Sequence, residues 1–322
     1  MQIRFWGTRG SIPVSLTSEH IRAKLIAAVT GANGRLFPSN EAVADYVDGL
    51  DFSVRGTFGG HSSCVEIVSN DDTHLILDMG SGARALGADL LARSGAQRPQ
   101  TYHVFMSHLH WDHIMGFPFF GPAYIPGNRI VIHGCHAELA HAFERQQAPP
   151  SFPVSFAQLG ARIEFDVIEP GIPVNIAGYC VTAKHQRHGG DSYGWRFERD
   201  GRVLVYATDS EHRIEDSVDR QAFVEFFRDA DLVIFDAMYS LAEAISVKED
   251  WGHSSNIVGV ELCQAAGVRC LALFHHEPAS DDRQLEQILE ETRRFAVLTQ
   301  APGVLPLDVV SAYDGLALSL DR

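Results

Sequence analysis

The sequence predicts an α/β fold of two mixed β-sheets covered on their outer sides by helices. Two observations predict it. Short apolar runs with strand character are followed by helical patterns in both halves of the chain, which is how sheets come to lie beneath helices. A cluster of His and Asp, Ser107-His108-Leu109-His110-Trp111-Asp112-His113, directly follows one of those runs, so a strand end delivers chemistry to one place.

Taken in order, residues 2–6, 63–69, 73–78 and 101–106 read as strands. In the last of them Tyr102, Val104 and Met106 alternate with His103 and Phe105. Between the first two lies a helical insertion at about 17–50. Ser18 precedes a pattern with Ile21, Leu25 and Ala28 on one face, and a second helix starts near Asn40 with Val43, Tyr46 and Val47 apolar. Gly31, Gly34 and Pro38 separate the two. Such a hairpin serves equally as a plain surface element, a lid or a partner surface. A homo-oligomer stays open. A helix follows at 83–93, then the apolar, turn-rich Gly116 to Phe120, a strand at 129–133 and a helix at 136–147 with Leu139 and Phe143 on one face. The proline-bearing stretch from Ala148 to Phe156 reads as a loop. The second half gives strands at 162–168, 179–184, 192–198 and 202–207, a helix at 218–229 and a strand at 231–235. A helix at 255–266 has Leu262 and Ala265 inward and ends at Gly267. A strand at 270–274 and a helix at 282–296 complete the pattern.

Hydrophobic residues make up 45% of the 322 and charged residues 21%, the balance of an ordinary globular protein. The formal net charge of −15 disfavours an extensive nucleic-acid surface, which needs Lys and Arg to displace counterions. A small anionic substrate stays open, because bound divalent cations reverse a local field. The five cysteines, Cys64, Cys135, Cys180, Cys263 and Cys270, form no C-x-x-C pair, and buried reduced thiols in a cytoplasmic protein account for them most simply. No secretory pattern opens the chain and no apolar run reaches the ~18 residues that span a membrane.

The cluster reads H-x-H-x-D-H. On extended backbone His108, His110 and Asp112 would point to one side, with His113 reaching the same place from the start of a turn. Four metal-competent side chains at one strand end have no packing reason to be there, whereas a bound metal would satisfy them all.

This motif resembles the signature of the metallo-β-lactamase superfamily. Leu77-Asp78-Met79-Gly80-Ser81-Gly82 before it fits the same pattern, as do His188, Ala207-Thr208-Asp209-Ser210 and Leu273-Phe274-His275-His276 after it. Phe5-Trp6-Gly7-Thr8-Arg9-Gly10-Ser11-Ile12-Pro13 and Gly59-Gly60-His61-Ser62-Ser63-Cys64 resemble its phosphodiesterase-like branch. The resemblance implies a four-layer αββα sandwich, formed as a single domain over 1–322 because the later ligands must return to one site.

It also implies a dinuclear centre. His108 and His110 would serve one divalent metal ion, Asp112 and His113 the other, with Asp209 bridging. His188 would join the first metal; His185, three residues earlier, competes, although Gly189-Gly190-Asp191-Ser192-Tyr193-Gly194 has the family's spacing after His188. The last ligand is His275 or His276, with His275 at the family position and His276 then pointing elsewhere and supporting the ligands, as Asp78 would, rather than binding metal. Asp78 would orient a ligand rather than bind metal. Imidazole and carboxylate without thiolate suit Zn²⁺ first, with Mn²⁺ or Fe²⁺ as alternatives. Two such ions would bring a bound water towards a pKa of ~7 and provide a bridging hydroxide as nucleophile. Asp112 would count as catalytic as well as ligating. His253, in Trp251-Gly252-His253-Ser254-Ser255-Asn256, resembles a general-acid histidine; otherwise it is a loop residue before a helix capped by Ser254 or Ser255.

The resulting expectation is a dinuclear hydrolase of a small phosphodiester, of cyclic phosphate or cyclic nucleotide type. The competing expectations are a thioester, lactone or other carbonyl-ester hydrolase on the same scaffold, and a metal-bound sensing module without turnover.

Overall fold

The computed structural model describes residues 1–69, 72–95, 97–212, 217–238 and 252–321. The first sheet holds β1 (Gln2–Gly7), β2 (Cys64–Val68), β3 (Thr73–Leu77), β4 (Thr101–Phe105), β5 (Arg129–Gly134) and β6 (Arg162–Val167), in chain order, with β14 (Ala317–Ser319) returning to pair outside β1. The second holds β7 (Val174–Ile176), β8 (Tyr179–Gln186), β9 (Ser192–Arg199), β10 (Arg202–Ala207), β11 (Leu232–Asp236), β12 (Cys270–Phe274) and β13 (Asp308–Ser311), also in chain order. Each sheet begins antiparallel and turns parallel, from β3 onward in the first and from β10 onward in the second. Parallel neighbours need crossovers. Helices supply them at α4 (Ala83–Ser94), α6 (Leu139–Gln146), α7 (Ser217–Phe227), α8 (Asn256–Ala266) and α9 (Asp282–Thr299).

Alternation along the strands builds four layers. Phe5, Leu75, Leu77 and Phe105 meet Trp195, Phe197, Tyr206, Ile234 and Phe274 between the sheets. Ile76, Val104, Ile130 and Ile132 face outward beneath Leu86 and Leu90 of α4 and Phe143 of α6. On the other side Val205, Val233, Phe235 and Leu271 lie beneath Phe223, Val260, Cys263 and Ala296. Strands covered on both faces read as continuous apolar runs, and β11, Leu-Val-Ile-Phe-Asp, is buried at every position. This is the αββα arrangement expected from the sequence.

Several local expectations need correction. β4 ends at Phe105, and after a non-strand stretch the chain forms the short helix α5 (Trp111–Ile114), so His110 keeps extended backbone as its N-cap while Asp112 and His113 are carried on the helix. Ala266 rather than Ala265 is buried in α8. Cys180 is exposed, Cys135 and Cys270 are half-buried, and only Cys64 and Cys263 are fully enclosed. The short strands β7, β13 and β14 and the four-residue helix α3 (Phe52–Arg55) have no counterpart in the pattern reading.

The insertion forms α1 (Ser18–Ala32) and α2 (Asn40–Asp48), and neither buries a residue. A reciprocal cap starts α1: Thr17 Oγ1 accepts from His20 N–H while His20 Nδ1 accepts from Thr17 N–H. Ile21 and Leu25, on the apolar face of the pattern, are exposed. The helix is instead anchored through Lys24, which pairs with Asp282 at 2.7 Å and donates to Gly56 O at 2.8 Å. No described helix is long and apolar enough to cross a membrane.

Candidate active site

The parallel strands end on the same side of the two sheets, where open α/β sheets gather their ligands. Asp78 follows β3, the segment from Ser107 to His113 follows β4, Asp209 follows β10, Asp236 ends β11 and His275 follows β12. Three of these residues turn the chain through left-handed backbone, with φ of 57° at Asp78, 52° at Asp209 and 58° at His275. Non-glycine residues held there cost about 1–2 kcal/mol each, and such strain collects at functional sites. Asp is among the residues that tolerate it best.

Two ligand-competent groups share Asp209. His108, His110 and His188 form one, with His188 Nε2 3.1 Å from His110 Nδ1. Asp112, His113 and His275 form the other, with His113 Nε2 3.3 Å from His275 Nε2 and 3.2 Å from Asp112 Oδ2. The carboxylate of Asp209 lies between them. Its Oδ1 is 3.8 Å from both His108 Nε2 and His188 Nε2 and 3.3 Å from His275 Nε2, while its Oδ2 is 3.3 Å from His113 Nε2.

Outer contacts fix which nitrogen faces inward. Asp78 Oδ2 accepts from His113 Nδ1 at 2.7 Å, and Asp78 is itself held by Ser107 and the Tyr206 hydroxyl. Gly252 O accepts from His188 Nδ1 at 2.8 Å, and Ser107 Oγ lies 3.0 Å from His108 Nδ1. Each arrangement leaves Nε2 turned into the cluster, as ligating imidazoles require. The backbone N–H of Ser11 donates to Asp112 Oδ2 at 2.9 Å. Two glycines permit this closeness. A Cβ on Gly10 would stand 2.5 Å from the His275 ring, and one on Gly252 would stand 2.4 Å from His188 Nδ1.

A divalent metal fits this constellation. His108 Nε2 is buried without a hydrogen-bond partner, an expensive position for a polar atom unless something coordinates it. Burial, with neighbouring His113 for His108 and His188 for His110, holds His108, His110 and His188 below the usual histidine range, so they present neutral lone pairs. At His113 burial also acts downward, but Asp112, Asp209 and Asp78 outweigh it and raise the pKa well above normal. Asp112 and Asp209 are held far below the carboxylate range against their burial, chiefly by His113 for Asp112 and by His275 and His113 for Asp209. A buried place that binds protons this tightly is a place for cations, and its N and O donors suit a divalent ion.

The structure brings together all seven residues expected as ligands and separates them from their competitors. His185 is exposed at the end of β8 and pairs with Asp191 at 3.1 Å. His276 is buried away from the cluster and bonds Ala312 O at 2.8 Å. Its ring points elsewhere, as expected beside a ligating His275, and its main chain accepts from Gly10 N–H.

His253 lies beside the cluster, its ring stacked on His275 at 5.1 Å and edge-on to His188 at 5.1 Å. Its Nδ1 bonds Asp236 Oδ2 at 2.7 Å. Burial alone would lower its pKa, but Asp236, Asp209 and Asp112 push it up to about 9. Ser255, not Ser254, caps α8 by accepting from Val258 N–H. Pattern reading overlooked Asp236, which closes an apolar strand as Asp78 and Asp209 do; that shared position was the available signal. It also overlooked Tyr206 and the Gly252 carbonyl.

Residues 74–276 match the family described as the Beta-lactamase superfamily domain. Ribonuclease Z of Acaryochloris marina is 24% identical over 303 residues, covering 77% of this chain and 88% of the relative. Among solved structures, the metallo-β-lactamase fold protein YhfI from Bacillus subtilis superposes with a TM-score of 0.63 at 17% identity over 98% of both chains. A diphosphatase from the PhnP family superposes at 0.58 and 18% identity, over 99% of this chain and 97% of its own. The family match spans more than half of the sequence, and the chain belongs to the β-lactamase superfamily, as a metal-dependent hydrolase on the metallo-β-lactamase fold.

Proposed function

We propose that the protein hydrolyses a small phosphodiester, of cyclic phosphate or cyclic nucleotide type, with two divalent ions. The observation that carries this reading is His253, a histidine beside the cluster whose Nδ1 proton is held by Asp236. Ester hydrolysis with an alkoxide leaving group needs a proton donor at that oxygen. The ribonuclease Z relative and the PhnP-family diphosphatase neighbour support phosphoryl chemistry. We treat the chain as one catalytic domain, because β14 closes on β1 and the inter-sheet core draws on both halves.

His108, His110 and His188 would hold one ion and Asp112, His113 and His275 the other, with Asp209 common to both; His275 is preferred to His276 and His188 to His185 on placement. Bound there, divalent ions supply Lewis acidity towards the phosphoryl oxygens and activate water near neutral pH, and zinc suits the donor set best, ahead of manganese or iron. The protein's own groups do the rest. Asp78 and Gly252 O keep the Nδ1 protons on His113 and His188. Asp236 keeps the proton on His253 Nδ1, so that its Nε2 proton is the one given to the departing oxygen.

A second reading has its own support: the ribonuclease Z relative favours an RNA phosphodiester, although the net charge of −15 opposes a long RNA footprint. The metal-loaded protein should be assayed on 2′,3′- and 3′,5′-cyclic nucleotides, a precursor tRNA and an acyl thioester. Turnover of a cyclic nucleotide above the others is the expected result. Turnover of tRNA alone would establish the second reading, and turnover of the thioester alone would overturn both.

A further inference from the structure

A groove of about 920 Å³ opens between α1, the strap following β1 and the loop at 278–283. Its volume lies in the range that holds a small organic ligand. The groove and the metal-competent cluster share two stretches of chain, none of the seven expected ligands lining the groove itself. The strap carries Ser11, whose N–H donates to Asp112, and reaches the groove wall at Pro13, no more than about 7 Å of extended chain further on. His61 lines the groove, and the next residue, Ser62, donates through Oγ to Asp112 O at 2.7 Å.

The wall is mainly apolar, from Val14, Leu16, Ala23, Ala27 and Pro278. Charged groups around it are already engaged. Lys24 pairs with Asp282, the Arg9 guanidinium donates to Gly59 O, Glu277 O and Ser280 O, and Asp314 accepts from Gly60 and His61 N–H. Asp281 caps α9. Arg283 stands exposed at the rim. Among the described residues, the cations of the groove wall are Lys24, paired with Asp282, Arg9, held by three backbone carbonyls, and Arg283 at the rim, whereas a flat, uncharged ring system would find apolar walls.

We propose that this groove is the subsite for an uncharged, ring-bearing organic group of the substrate, such as a nucleoside, attached to the phosphoryl group at the cluster. The inference rests on the phosphodiester reading for what lies at the cluster. It also gives the insertion a role: α1 roofs the subsite through Ala23 and Ala27, on a different face from Ile21 and Leu25.

The experiment fills the groove. Ala27 is exposed to it, so Ala27→Trp adds bulk without entering the core, and Ala23→Phe is the second variant should the first lose its thermal transition. Binding of adenosine is followed by saturation-transfer NMR, which needs no turnover. The wild type should bind and the variant should not. Turnover is compared on bis(4-nitrophenyl) phosphate and methyl 4-nitrophenyl phosphate, which share a leaving group and differ in the retained ester. KM for the first should rise on the order of tenfold, as expected for losing burial of one ring, and that for the second should change less than about twofold. No adenosine binding, equal binding to wild type and variant, or an equal effect on both diesters overturns the subsite. If neither diester is hydrolysed by the wild type, the phosphodiester reading fails while the adenosine measurement still decides the groove.

Discussion

Removal of the His253 imidazole separates proton donation from metal binding. His253 forms a ligand-competent group with His188 and Asp209, 3.9 Å from Asp209 Oδ1, and its ring, only 10% exposed, stacks on His275. Its Nδ1 is taken by Asp236 at 2.7 Å, so His253→Ala should leave both ions bound. It strips Asp236, fully buried, of its 2.7 Å partner, but the carboxylate retains the N–H groups of Met238 at 3.1 Å and Ser210 at 3.3 Å. Losing one charged hydrogen bond of three costs about 1–3 kcal/mol of stability, which the fold should survive. General acid catalysis contributes roughly 10²–10⁴-fold, or about 3–5 kcal/mol of barrier. That loss should appear in full on a diester with an alkoxide leaving group and shrink to a few-fold on a nitrophenyl diester, whose leaving group departs unaided. Asp236→Asn keeps the ring and removes the carboxylate that raises its pKa to about 9, so the alkaline limb of the alkoxide profile should move to lower pH. The assay is kcat/KM on both substrates across pH, with metal content measured in parallel. Equal losses on the two substrates, with metals retained, would refute proton donation and assign His253 to phosphate binding.

His188→Ala should lose metal and activity together, whereas His185→Ala, on an exposed residue paired with Asp191, should change neither by more than about twofold; elemental analysis and turnover check both, against two equivalents in the wild type. Asp78→Asn tolerates the left-handed backbone while removing the charge that orients His113, and should weaken metal binding about 10–100-fold in a chelator competition. His212, half-buried against Phe223 and Phe235, has its pKa lowered to about 3 by burial and by Lys184. The unfolded chain takes up that proton near pH 6.5, so this histidine costs nothing above pH 6.5 and destabilises progressively as pH falls from there towards 3, by up to about 1.4 kcal/mol per pH unit. His212→Phe should flatten the denaturation midpoint against pH in that window, measured on chelator-treated protein so that metal loss is common to both chains.

The sequence by itself determined whatever depends on neighbours close along the chain. The alternation of Tyr102 and Val104 with Phe105 set the two faces of β4, and the apolar run from Leu232 to Phe235 set a strand buried on both sides. The spacing of His108, His110, Asp112 and His113 brought four donors within one turn of each other, even though that turn is an irregular segment leading into α5 rather than extended strand. Tertiary structure decided what depends on closure between distant segments. His188 and His185 are three residues apart and alike in type; only the fold brings His188 to Gly252 O, sixty-four residues away, and to His110 across the sheets. Asp236 became a partner for His253 only when β11 took its place beside β10 and β12. The insertion shows the same division. Its helices and the turn between them were legible from periodicity and glycines, but Thr17 rather than Ser18 caps α1, and the face of Ile21 and Leu25 stays exposed. Lys24 meets Asp282, more than two hundred residues on, and Ala23 and Ala27 line the groove, contacts that no local periodicity specifies.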